Sequence, residues 1–135
     1  MDSKSFWTGI VTAIVFVAME MGLNSVLLSD LYRETAALWR PEGEMKTLFP
    51  LMIIGQAFFG FFFGIIYTKG YQPNRGTMTQ GCRYGLLMAL MLGPMAGLLW
   101  YTVLPIPQTL ALAWGLGGAI ECLVLGMLAG LFYRD

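Results

Sequence analysis

Two glutamates stand where a carboxylate is costly. Glu20 and Glu121 each lie inside a long apolar run that contains no lysine or arginine. A charge near the centre of a bilayer costs about 2.5–3.5 kcal/mol on insertion scales, so an acid there is a functional candidate. Without a basic neighbour it must be neutral, share a proton or hold a cation. Asn24 follows Glu20 by one helical turn on the same face. Gln56 sits in a third apolar run, eleven residues from Tyr67. Glu20 lies fourteen residues from Phe6, and Glu121 twelve from Tyr133. At the helical rise these are depths of about 21 and 18 Å. Glu20, Glu121, Gln56 and Asn24 are therefore expected at one mid-membrane level, presented by three helices. Two close carboxyls in a low dielectric cannot both ionise cheaply. Such a pair suits exchange of a proton for a cation or small cationic solute. The competing expectation is that each glutamate stays neutral and hydrogen-bonds across helices as glue.

Other chemistry is poorly supplied. The chain of 135 residues has no histidine, which removes the commonest metal ligand and the usual proton shuttle near neutral pH. Eight basic and eight acidic residues balance to zero net charge, so no global field points to nucleic acid. Ten methionines raise the possibility of Cu(I). Met19 and Met21 flank Glu20, and Met88, Met91 and Met95 share a helical face. With no histidine and no cysteine pair beside them, they read as adaptable packing. Cys82 and Cys122 are expected at different depths and without a bridge. Phosphate loop, nucleophile elbow and metal-ligand spacing are all lacking. The expectation is a non-enzymatic chain that needs no metal and no cofactor.

The elements that must position these groups are membrane helices. Only 12% of residues are charged, against about 25% in an ordinary soluble domain, and the mean hydropathy is +0.66. Four stretches reach the ~20 apolar residues a span requires: roughly 6–28, 48–67, 84–104 and 109–133. The first is too long for a cleaved signal peptide and lacks a small-x-small cleavage site directly after it. The predicted fold is all-α, a single four-helix transmembrane bundle over 1–135. Residues 71–76 carry the Pro, Asn and Gly of a turn, and Pro105 and Pro107 separate the last two spans. The connection 29–47 starts as an amphipathic continuation, breaks at Pro41, and is expected on the membrane surface. Pro94 predicts a kink in the third span.

Aromatic belts match these boundaries. Trp7, Tyr67, Tyr71, Tyr84 and Tyr133 fall at one edge, and Tyr32, Trp39, Trp100, Tyr101 and Trp114 at the other. The edge with both termini carries Lys4, Lys69, Arg75, Arg83 and Arg134 against Asp2 and Asp135. The opposite edge carries Arg33, Arg40 and Lys46, diluted by Asp30, Glu34, Glu42 and Glu44. The positive-inside rule then puts both termini in the cytoplasm.

Small residues supply the packing. Gly60-x-x-x-Gly64-x-x-Tyr67 in the second span is matched by Gly126-x-x-x-Gly130-x-x-Tyr133 in the fourth. Aligning Gly9 with Gly85 and Met19 with Met95 extends the match to the odd spans. The chain reads as a duplicated two-helix hairpin with both copies running the same way. Gly60, Gly64, Gly93, Gly97, Gly118, Cys122, Gly126 and Gly130 are expected at helix interfaces, since lipid-embedded helices associate by close backbone approach.

Three stretches carry a family likeness: Leu31-Tyr32 with Leu38-Trp39-Arg40-Pro41, Tyr67-Thr68-Lys69-Gly70-Tyr71, and Arg83-Tyr84-Gly85. Together they resemble small uncharacterised bacterial four-span membrane proteins, across most of the chain. That resemblance implies a bacterial inner-membrane location and no particular activity. The size and the first-span acid also look like small multidrug transporters, from which the duplication and Glu121 depart. Two functions follow as expectations. One is proton, cation or cationic-solute handling at the acidic site, by a homo-oligomer. The other is an accessory subunit packed in a larger membrane complex, with the bilayer as partner in either case.

Overall fold

The computed structural model describes residues 1–134 of an all-α four-helix bundle; Asp135, counted above in the charge balance, lies outside them. The first span is α1 (Ser3–Gly22), continued by a π-helical turn at Leu23–Leu27. A short α2 (Ser29–Glu34) and a 3₁₀ turn (Ala36–Leu38) lead to Pro41, after which α3 (Glu42–Lys69) forms the second span. The third consists of α4 (Thr77–Pro94), a second π turn (Met95–Leu99) and α5 (Trp100–Val103). The fourth is α6 (Gln108–Phe132). Four helices, Ser3–Leu27, Glu42–Lys69, Thr77–Val103 and Gln108–Phe132, are long and apolar enough to cross a membrane. Continuous helix is what such a setting demands, because each backbone N–H and C=O must find its partner within the chain.

Several helices outrun the apolar stretches. The second begins at Glu42 rather than 48, and the third at Thr77 rather than 84. Hydropathy marks where a helix can meet lipid, whereas helix formation needs only satisfied backbone. The extra turn at Glu42 gains local ion pairs, Lys46 to Glu42 at 2.9 Å and Arg40 to Glu44 at 3.4 Å. At the other end of the chain, Asp2 caps α1 by accepting from the Ser5 N–H at 3.2 Å. That bond holds the exposed Asp2 carboxyl below its ordinary pKa.

The helices pair as hairpins, α1 on α3 and α4 on α6, and the hairpins meet through α6 against α1 and α3. Glycine decides how closely. A Cβ at Gly60 would lie 2.6 Å from Ala13 Cα, and one at Gly64 would lie 3.0 Å from Gly9 Cα. In the second hairpin a Cβ at Gly126 would lie 2.6 Å from Gly85 Cα, and one at Gly130 3.2 Å from Gly81 Cα. The two hairpins thus share one contact pattern, in which Gly9 corresponds to Gly81 and Ala13 to Gly85. Both π turns begin fourteen residues after the corresponding glycine, at Leu23 and Met95. The structural register therefore differs by one helical turn from the sequence pairing of Gly9 with Gly85. Composition alone could not separate these registers, because a small residue recurs at every turn of α4, as Gly81, Gly85, Ala89 and Gly93.

Gly93 and Gly97 continue the α4–α6 contact against Gly115 and Ala111. Gly118 does not join it: a Cβ there would meet nothing within 4 Å. The α6 face at Gly118 has turned away from α4, so this position is a correction to the expected packing stripe. Polar bonds lock the end that holds the termini. Thr12 Oγ1 donates to Gly60 O at 2.7 Å, and Tyr84 OH to Phe63 O at 2.8 Å. Lys4 Nζ donates to Arg134 O at 3.0 Å, which places both termini on one side.

At the opposite end the 29–41 connection folds over the bundle. Leu28, Ile106, Leu110 and Ala111 form a buried cluster, joined by Leu31, Tyr32, Trp39 and Trp114. This segment turns its apolar side onto α6. Pro94 produces no simple break; the helix widens directly after it into the π turn.

Adding only a methyl at the tight crossing should cost about 1–3 kcal/mol by overpacking. Gly126→Ala is expected to lower the thermal unfolding midpoint of the detergent-purified protein, read by circular dichroism. Gly118→Ala is expected to leave it unchanged or raised.

Candidate functional site

Close packing at the terminal end is not maintained along the first hairpin. Beyond Gly60, toward the loop, α3 leans away, and Met45, Phe49, Met52, Gln56 and Phe59 line one wall of a cavity of about 1340 Å³. These five positions recur at three- and four-residue intervals, so they form one face of α3. Leu92, Met95, Ala96 and Trp100 form the wall opposite, and Glu20, Asn24, Gly118 and Glu121 reach the same space.

All four polar residues singled out in the sequence meet here. Glu20 Oε2 accepts from Asn24 Nδ2 at 3.0 Å and from Gln56 Nε2 at 3.3 Å. The Asn24 amide also donates to Glu20 O at 2.9 Å. The Glu121 carboxyl, only 4% exposed, is within hydrogen-bonding reach of the Glu20 carboxyl. Two carboxyls can bond to each other only if one of them carries a proton. Among the described residues, neither glutamate takes part in a salt bridge. The cations nearest the cavity mouth, Arg33 and Arg40, pair with Asp30 and Glu44 on the surface.

A polar path joins this floor to the loop. Trp114 Nε1 donates to Tyr32 OH at 2.7 Å, and Tyr32 OH donates to Asn24 Oδ1 at 2.6 Å. From there the Asn24 amide donates to Glu20. Every bond in the path is given toward the carboxyl of Glu20, the terminal acceptor of the chain. Burial holds the Tyr32 phenol above its ordinary pKa, keeping it an O–H donor at neutral pH. Tyr32, Trp39 and Trp114 also pack on one another, largely edge to face, with ring centroids 5.5, 6.0 and 6.5 Å apart. Sequence reading put these three rings in an interfacial belt and did not connect them to the acids. The eight-residue step from Asn24 to Tyr32 was the available signal, but the intervening π turn makes it unreadable on an ideal helix.

Two acceptors at the site have no partner. Gln56 Oε1 and Glu121 Oε1 are buried and accept no hydrogen bond. A buried polar atom left unpaired costs about 1–3 kcal/mol. The Gln56 amide cannot simply rotate to relieve this, since its oxygen would then face Glu20 Oε2. No group of three or more acidic or cysteine side chains that could hold a metal occurs among the described residues. The remaining sequence-assigned residues lie elsewhere: Gly60, Gly64, Gly93, Gly97, Gly126 and Gly130 at helix crossings, and Cys122 buried beside Gly85. Gly9, Gly81, Gly85 and Gly115 complete those crossings and were missed. The spacing of four between Gly81 and Gly85 was their visible signal.

No protein-family model, curated protein or solved structure matches this chain.

Tyr32→Phe removes both the acceptor of Trp114 and the donor to Asn24. It is expected to destabilise the protein by about 1–3 kcal/mol in detergent unfolding. Tyr101→Phe, at an exposed ring with 47% accessibility, should leave the midpoint in place.

Proposed function

We infer that the chain is a non-enzymatic membrane protein that exchanges a proton for a cation or small cationic solute at the Glu20–Glu121 pair. The observation that carries this reading is the pair itself, two carboxyls in contact at the floor of a cavity with no basic partner. Charge conservation favours exchange. With one shared proton the pair carries one negative charge. Releasing that proton while admitting a monovalent cation leaves the charge of the site unchanged, so the low-dielectric surroundings oppose the swap least.

The wider setting belongs to the same reading. The chain sits in a bacterial inner membrane with both termini cytoplasmic, as the basic residues near that edge favour. Its two hairpins descend from one duplicated unit, supported by the shared Gly9/Gly81 and Ala13/Gly85 contacts and the matching π turns. It works as a homo-oligomer. A second reading, an accessory subunit of a larger complex, draws support from an apolar groove of about 320 Å³ between α3 and α4. Phe58, Phe62, Ile66 and Met91 line it on the outer surface, where a partner helix could seat.

Infrared spectroscopy on the purified protein tests the exchange. A protonated-carboxyl band is expected at pH 7, altered by Glu20→Gln and by Glu121→Gln alike because the proton is shared. Two folded variants with no such band in the parent protein would sink the acidic site and favour the accessory reading.

Linkage gives the pH dependence. Other titratable groups near the floor are Cys122 on α6 and Tyr32 in the loop; α3 and α4 present only Gln56 and apolar side chains there. Arg33, Arg40 and Glu42 stand at the mouth. If binding releases one proton, raising the pH favours binding, by about tenfold in affinity per unit while the pair holds its proton. Methylammonium binding followed from pH 6 to 8 by calorimetry measures this slope. A flat profile contradicts exchange.

A further inference from the structure

Resting on the exchange reading, the unpaired atoms narrow the class of cation. Glu20 Oε2 already accepts two amide N–H bonds, whereas Gln56 Oε1 and Glu121 Oε1 accept none. Both vacant acceptors belong to residues that line the cavity, but the two oxygens are themselves covered, so a ligand meets them only after the side chains turn toward the cavity. A ligand that relieves them must bring hydrogen-bond donors and a positive charge together. It must also fill space. About 1340 Å³ exceeds the ~300–1,000 Å³ of ordinary ligand pockets, and most of the wall is hydrocarbon or thioether.

We propose that the cavity binds a protonated primary or secondary amine with an apolar body, the Gln56 and Glu121 side chains turning toward it so that its N–H groups donate to Gln56 Oε1 and Glu121 Oε1. Glu20 supplies the opposing charge next to them. The body lies against Phe59 and Met52 of α3 and against Leu92 and Met95 across the cavity. Thioethers adapt to bodies of different shape, so selectivity resides in the ammonium group. A quaternary ammonium carries the same charge without an N–H and leaves both acceptors unpaired. Its usual recognition by open aromatic faces is poorly served here. Tyr32, Trp39 and Trp114 turn edges and faces toward one another, and Tyr32 and Trp114 are further tied by their hydrogen bond.

The test compares 2-phenylethylamine with its N,N,N-trimethyl analogue, by calorimetry on the full chain in lipid nanodiscs at pH 7. The primary amine is expected to bind at least tenfold more tightly, since a buried acceptor distinguishes sharply between a donor and its absence. Gln56→Met keeps the side-chain length and removes the acceptor. It should weaken the amine about tenfold and leave the analogue unchanged. Should that variant misfold, the two ligands on the unaltered protein still decide. Equal affinity for both ligands overturns the donor-based selectivity, even where infrared spectra show a shared proton and the exchange reading survives. Failure of both to bind, with the shared proton present, likewise overturns an amine site while sparing the carboxyl pair. Loss of the shared proton removes the exchange reading itself.

Discussion

Backbone contact between helices at the terminal end is the constraint on which the rest of this structure depends. In lipid, apolar side chains gain little by turning inward, so helices associate where backbones can approach each other. Gly60 and Gly64 let α3 lie directly on α1 at Gly9 and Ala13, and Gly126 and Gly130 do the same for α6 on α4. The second hairpin stays closed as far as Gly97. In the first, the glycines of α3 beyond Gly60, Gly55 and Gly43, meet nothing within 4 Å. Its helices therefore diverge toward the loop. The cavity follows from one hairpin that is zipped along its length and another that is zipped at one end.

That divergence gives the acids their environment. Had α3 stayed on α1 throughout, Gln56 and Glu20 would be packed as interhelical glue with no space beside them. Opened as they are, the two glutamates and Gln56 line a cavity of about 1340 Å³ instead of a packed helix interface. The loop closes this space from the other end, and its apolar cluster on α6 holds Tyr32 and Trp39 over the mouth. Tyr32 links the closure to the acid through Asn24.

Much of this was legible in the sequence because the bilayer is a severe solvent. The lengths of four apolar runs specify helices, and counting residues from the aromatic edges places Glu20, Gln56 and Glu121 at one depth. Other features are decided by contacts the sequence does not encode locally. The register of the hairpins is one example, since glycines at 81, 85, 93 and 97 offer several crossings with similar spacing. The fate of Gly118 is another. A four-residue repeat predicts one stripe on a straight helix, yet Gly118 meets nothing within 4 Å although Gly115 and Cys122 on either side of it lie against α4.

What the sequence by itself determined is the number of helices, their approximate ends, and the presence of acids with no local counter-charge. These follow from hydropathy and rise per residue, which are properties of each segment alone. Helix rotation and divergence were decided only in the tertiary structure. When every face is apolar, nothing within a helix says which side turns inward, and the answer comes from where small residues on two helices coincide. That coincidence aims Glu20 at Glu121, leaves Gln56 Oε1 without a donor, and puts Tyr32 in the path to the acids.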